Sequence, residues 1–363
     1  MKKTLLSGLV KASGNEYAGG INACDVYTSK YYVNTGNYIL NALISGDIYK
    51  GIPSGMIVQW AGDKSTGKSF LTQNIALNHV KSGANHLSLI IETEGALQAE
   101  PIMQYLTEDE QSRFIIFPCR TIEEIKVQAN KIVEYVRSKL DEFKDTEILV
   151  TLDSIGMPAS QKEKNDAIKD NAPRDMTRAQ AIKSLFRTIA MEFFLLKIPM
   201  NLVNHTYATM DMFAPKAESG GTGVAYSNSV TLIMNKKKLR DKNKVQVGTV
   251  FTLTPTKSRV VAENISKIEL YSKFKIGMDK YTGLWEFVKN HKLITSVGNG
   301  PKGGSTITFK DLNLVYQSKD IEKIKPEDFW DKKKLDYINS KFKEMYLLDR
   351  ADDKSVEEIL AED

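Results

Sequence analysis

Gly62, Asp63, Lys64, Ser65, Thr66, Gly67, Lys68 and Ser69 form an uninterrupted GxxxxGK[ST] octet. The chemistry of such an octet is phosphate binding. Its glycines permit turns that aim successive backbone N–H groups at phosphate oxygens, and a helix opening at its end adds the helix dipole. The lysine of the motif, Lys68, reaches β- and γ-phosphates, and its hydroxyl, Ser69, ligates Mg2+. Phosphoryl transfer also needs a carboxylate near the metal and a group that positions water. Asp153 closes the apolar run ILVTL, which suits a metal-side carboxylate at the C-terminal edge of a strand. Glu92 and Glu94 follow the run HLSLII. Either could orient or deprotonate an attacking water, and each is equally compatible with a solvated surface carboxylate. His205 follows MNLV and Asn204 at a third strand end, as a nucleotide sensor or as a satisfied structural histidine.

The elements that must hold these groups follow from the hydrophobic pattern. Short apolar runs at 56–60, 86–91, 114–117, 148–152 and 200–203 predict strands. Helical spacing at 69–80, 123–143 and 179–194 predicts helices between them. This alternation indicates βαβ units and a twisted, mostly parallel sheet covered by helices on both faces, an α/β fold. Runs at 229–234, 248–255 and 265–271, with little helix between them, predict added antiparallel strands. An amphipathic helix is expected near the start (Leu5, Leu6, Leu9, Val10), as an arm packing on a neighbouring subunit or on its own core, and another at 38–43. The expected organisation is an N-terminal arm and linker over 1–50, a phosphate-binding core over 51–290, a smaller C-terminal region over 291–348 and an acidic tail over 349–363.

Composition bounds the class. The 363 residues are 42% hydrophobic, ample for a packed core. No run approaches the length of a membrane span, and the apolar stretch near the start ends too soon for a signal peptide. Two cysteines, Cys24 and Cys119, exclude a disulfide framework and match no zinc spacing. A cytoplasmic protein without a membrane partner is expected. The net charge of +5 is a sum over unlike parts: the segment DRADDKSVEEILAED has seven acidic and two basic residues, so the remainder carries +10. Two stretches, 156–178 and 206–223, are too polar and irregular for their place in a compact domain, and long loops of this kind are usually functional. Arg174, Arg178, Lys183 and Lys216 can neutralise phosphates there. Met212 and Phe213 offer apolar wedges for bases, and Gly220, Gly221 and Gly223 allow close backbone approach. The basic cluster KKKLRDKNK at 236–244 is a further DNA contact or a charged hairpin tip.

Taken in order, GDIYKGIPSGMIVQWAGDKSTGKS, ETEGAL, LVTLDSIG, DMTRAQAIKSLFR, LVNHTYATMDMF, SGGTG and TKSRV resemble phage recombinases of the UvsX type, within the RecA/RadA class of homologous-recombination ATPases. The resemblance spans roughly residues 35–290 and implies a RecA-like core binding ATP and Mg2+. It implies Glu94, rather than Glu92, as the catalytic glutamate, Asp153 with Ser69 at the metal, and His205 as a γ-phosphate contact that relays nucleotide state to the following loop. It implies that ATP lies between subunits, with Lys257 and Arg259 of TKSR reaching a neighbour's γ-phosphate. The two polar stretches become DNA-binding loops. The implied activity is DNA-dependent ATP hydrolysis by a filament on single-stranded DNA that exchanges strands with homologous duplex DNA. Such a protein works with a recombination mediator or loader and a single-strand-binding protein. The segment ALQAEPIMQY does not match the Asp and Tyr with which RecA holds adenine, so adenine rests on the resemblance alone. The alternatives are a ring-forming replicative helicase with the same core, for which fifty N-terminal residues leave little room for a primase-interaction domain, and a non-hydrolysing ATP-binding mediator.

Overall fold

The computed structural model describes residues 2–19, 25–168, 177–207, 217–218, 221–262, 264–265, 267–274, 277–298, 304–321 and 323–347. Its centre is a ten-stranded sheet whose main path holds nine strands: β1 (Ile57–Gly62), β2 (His86–Glu92), β3 (Phe114–Pro118), β4 (Glu147–Asp153), β5 (Met200–Tyr207), β6 (Val230–Arg240), β7 (Gln246–Ser258), β8 (Ile268–Lys273) and β9 (Gly277–Met278), with the short strand Ala217–Glu218 antiparallel to the end of β5. The order across the sheet is β9-β8-β7-β6-β1-β5-β4-β2-β3. The six strands from β6 to β3 run parallel, and β7, β8 and β9 turn back as an antiparallel meander. A RecA-like α/β core, mostly parallel and flanked by helices, is thus the observed fold.

Side chains alternate across the pleat, so each strand feeds two cores. Val58, Trp60, Ile90 and Leu149 face one, beneath α2 (Tyr38–Ser45) and α3 (Lys68–Ser82); α1 is the N-terminal helix Lys2–Ala12. Ile57, Leu89, Ile91, Val150, Leu152, Met200 and Leu202 face the other, beneath α4 (Ile122–Ser138) and α5 (Thr177–Leu195). Trp60 is fully buried and donates its indole N–H to Asn201 Oδ1 at 2.9 Å, so a large ring enters the core with its polar atom satisfied.

Several expectations shift. The helix expected over 123–143 breaks at Lys139, and a separate turn, Leu140–Phe143, follows. The stretch 156–178 contains a helix, Gln161–Ile168. Its start is a capping box: Ser160 Oγ accepts from Glu163 N at 3.0 Å while Glu163 Oε2 accepts from Ser160 N at 3.3 Å. Residues 33–52 are not linker. Val33, Ile39, Leu40, Leu43, Ile44, Ile48 and Ile52 are buried in the same cluster as Leu284 of the core and Phe309, Trp330, Ile338 and Phe342 of the C-terminal region. Asn37 fastens this segment to the end of the core: its Oδ1 caps α2 at Leu40 N, and its Nδ2 donates to the carbonyls of Asp279, Lys280 and Thr282. The C-terminal region adds an antiparallel sheet, Ile294–Gly298, Ser305–Phe309 and Leu314–Gln317, and the helix Lys332–Tyr346. In α1, Leu5 and Leu9 stay 78% and 69% exposed, so the chain's own core does not cover them. The acidic tail and Cys24 lie outside the described residues.

At the N-terminal edge of the parallel strands, His79, His86 and Glu147 place ligand-type atoms within 4.8 Å of one another. The two rings stack at 14° with centroids 4.7 Å apart, and His86 Nδ1 is engaged by Ser82 Oγ at 2.8 Å. His79 Nε2 is also engaged by the Glu147 carbonyl at 3.0 Å, which makes this a packed hydrogen-bonding node. Burial pulls the His79 pKa from 6.5 down to about 4, helped by the charges of His86 and Arg113 and opposed by the bond to Glu147. The unfolded chain therefore takes up this proton first. Stability falls as pH drops below 6.5 toward 4, by roughly 2 kcal/mol at about pH 5 from this group. Urea midpoints at neutral pH and about pH 5 should show His79→Gln flattening that decline; an unchanged slope would refute the assignment.

Candidate nucleotide site and flanking loops

The octet occupies the turn between β1 and α3, as the motif requires. Backbone geometry explains its glycines. Gly67 sits at φ 96°, and a Cβ there would lie 2.3 Å from the Phe251 ring. A Cβ at Gly62 would lie 2.4 Å from the Met234 carbonyl oxygen. Ser65 takes the left-handed region at φ 62° without being glycine. The loop is a cradle whose walls, β6 and β7, would collide with side chains. Lys68 is buried, its ammonium donating to the carbonyls of Gly62 at 2.9 Å and Asp63 at 2.8 Å. Burial lowers its pKa, opposed by the charges of Glu94, Asp153 and Asp63.

Parallel pairing brings the other groups to the same edge. Glu92 is in register with Asp153, and Gly62 with His205. Ser69 Oγ donates to Asp153 Oδ1 at 3.1 Å. Asp153 is only 7% exposed, and burial pushes its pKa from 3.8 up to about 6, partly offset by the Ser69 bond and reinforced by the charges of Glu94 and Glu92. The Asp153 carboxylate and the Ser69 hydroxyl are hard oxygen donors side by side, so the two could hold Mg2+, which would supply charge neutralisation for a triphosphate.

Glu92 and Glu94 separate clearly. The Glu92 carboxylate accepts the N–H groups of Glu94, Gly95 and Ala96 at 3.0–3.1 Å and shapes its own turn. Glu94 instead turns into the site, where Oε1 accepts from Ser154 Oγ at 2.5 Å and meets His205 Nε2 at 3.0 Å. Its carboxyl is held below the usual range by the His205 hydrogen bond first, then by Ser154 and Lys68, against burial. Ser154 was not singled out from sequence; only its place beside Asp153 could have suggested it. Thr206 was also missed, and its hydroxyl donates to Asp63 Oδ1 at 2.8 Å.

Both long polar segments leave the sheet here. The first starts after β4, where a Cβ at Gly156 would lie 2.5 Å from the His205 ring. The Arg178 guanidinium returns to this root, donating to the carbonyls of Ile155, Gly156 and Pro158. Expected as a phosphate contact, Arg178 here clamps the loop's base. Lys183 is exposed on α5. Gly223 lies in α6 (Gly221–Ser227), where a Cβ would lie 2.9 Å from the Lys183 Cα. It serves close helix packing in addition to any phosphate approach, and Gly221 begins this helix. Arg174, Met212, Phe213, Lys216 and Gly220 lie outside the described residues.

Lys257 and Arg259 are at the opposite end of the sheet. Lys257 pairs with Thr231, which is level with Gln59, and Arg259 N bonds the Ser229 carbonyl beside Ile57. The five steps from Ile57 to Gly62 span roughly 16 Å. Lys257 donates to the carbonyls of Ala225 and Asn228, and Arg259 to that of Tyr226, at the C-terminal end of α6. The structure does not bring these two cations to the chain's own phosphate loop.

No protein-family model matches the chain. The recombination and repair protein of Enterobacteria phage T4 is 30% identical over 297 residues, which is 82% of this chain and 73% of that protein. The chain belongs to that family. As a phage recombination and repair protein it has no helix, among the described residues, long and apolar enough to cross a membrane.

In this recombination and repair protein the buried Asp153 charge costs stability without a cation. Its pKa is higher in the folded chain, so stability declines as pH rises from 3.8 through about 6. Asp153→Asn, measured by thermal unfolding without divalent cation, should gain roughly 2–3 kcal/mol at neutral pH. The gain should vanish near pH 4, and Mg2+-dependent nucleotide binding should weaken; equal melting at both pH values would show that the carboxylate is not so strained.

Proposed function

We propose that this recombination and repair protein is an ATP-dependent strand-exchange recombinase of the UvsX type, which polymerises on single-stranded DNA. The observation that carries this reading is the common root of the catalytic groups and the loops. β4 ends at Asp153, with Ser154 next and the stretch 156–178 after it, while β5 ends in His205, Thr206 and Tyr207, the last two already part of the stretch 206–223. Glu94 touches both roots, through Ser154 and His205.

The chemistry follows from these contacts. The loop N–H groups and Lys68 bind the triphosphate, and Lys68 leaves its carbonyl partners to meet phosphate oxygens. Glu94, ionised at neutral pH, orients and polarises the attacking water, while Ser154 and His205 fix its carboxylate. The γ-phosphate lies where His205 meets Glu94, so the nucleotide and product states differ in that hydrogen bond. The difference moves β5's end and with it the DNA loop, which couples hydrolysis to DNA release. Lys257 and Arg259, turned away from their own loop, complete the site of a neighbouring copy, as a trans arginine finger does.

Negative-stain microscopy with single-stranded DNA and a slowly hydrolysed ATP analogue should show helical filaments. Closed six-membered rings would favour the helicase. In ATPase assays, Glu94→Gln should bind nucleotide and DNA but lose turnover at least about 100-fold. His205→Ala should keep both bindings, lose part of the basal turnover because Glu94 is held less firmly, and lose DNA stimulation of what remains; full stimulation in that variant would refute the proposed relay.

A further inference from the structure

The nucleotide reading leaves the base without a place, and the structure supplies one. The carboxylates and the histidine assigned to the metal and γ-phosphate end lie on one flank of β1. Asp153, Glu94 and His205 sit at or just beyond the ends of β4, β2 and β5, where Ser69 of α3 bonds Asp153 and Glu94 meets Ser154 and His205. A triphosphate laid along the loop with its γ-phosphate at these groups must send its nucleoside to the other flank, over β6 and β7.

There Phe70, the residue after Ser69, is 42% exposed. Its ring stacks on Phe251 of β7, with centroids 5.7 Å apart and planes at 26°. Phe251 is buried, and the same ring closes against Gly67 of the phosphate loop. Phe70 is therefore braced from behind by a ring that is itself locked to the loop. A large aromatic surface left in water one residue beyond a phosphate cradle gains free energy when a flat apolar group covers it.

We propose that Phe70, braced by Phe251, is the surface on which the base of the bound nucleoside triphosphate stacks. The proposal rests on the nucleotide-site reading above and adds to it the recognition of the base. Every base has a π-face, so this platform favours a nucleoside triphosphate over bare polyphosphate and separates adenine from guanine only weakly.

Isothermal titration of the full-length chain with a non-hydrolysable ATP analogue and with tripolyphosphate, both with Mg2+, tests it. Phe70→Ala should weaken analogue binding about tenfold and leave tripolyphosphate affinity within about twofold. Phe70→Trp should restore the analogue. A guanine analogue should bind the wild type within about tenfold of the adenine one and lose affinity in Phe70→Ala in parallel. Analogue affinity unchanged in Phe70→Ala, or equal losses for analogue and tripolyphosphate, would overturn the platform while leaving the phosphate loop standing. A wild type that binds neither ligand would overturn the nucleotide reading and the platform together.

Discussion

Lys68 and Asp153 place charge where little water reaches, beside the more open Glu94, and the rest of the fold is arranged to make that tolerable. Removing ions from water is expensive unless each meets an opposite charge or a hydrogen-bond partner. The chain meets this demand with backbone and hydroxyls: two carbonyls for Lys68, Ser69 for Asp153, and Ser154 with His205 for Glu94. Such partners must be held to within tenths of an ångström, which single loops do not achieve. Parallel strands do, because adjacent pairing sets Gly62 level with His205 and Glu92 level with Asp153. Covering both faces with helices follows in turn, since the parallel strands are buried on both sides.

Much of this was legible in the sequence, for identifiable reasons. The octet, the strand-end acids and the βα alternation are local patterns, and each landed where its pattern placed it. The antiparallel strands after residue 229 were readable from their runs. What could not be read depends on partners distant in sequence. Nothing in HLSLIIETEG distinguishes Glu92 from Glu94, because the distinction lies in which one closes its own turn and which reaches Ser154, sixty residues on. Arg178 resembles a phosphate ligand until its guanidinium is seen bonding three carbonyls of its own loop. The helix at Gln161–Ile168 did carry a local sign, the Ser160–Glu163 box, hidden within a very polar stretch.

The polarity of the sheet sets what one chain can do alone. The C-terminal edge of the parallel strands holds the phosphate loop, its acids and the roots of both long segments. The other edge holds the two cations of TKSR, fastened to the end of α6. On the proposed function each chain thus offers half a site at either end, and a complete site needs the top of one copy against the base of another. That contact joins unlike surfaces, and repeating it builds a helix or a ring according to whether its rotation closes. On the same proposal the exposed leucines of α1 would make a second unlike contact between copies. Two such contacts, both heterologous, would fix the step between copies more tightly than either alone. A nucleotide altering one of them would then change the whole array, because every junction would carry the same pair.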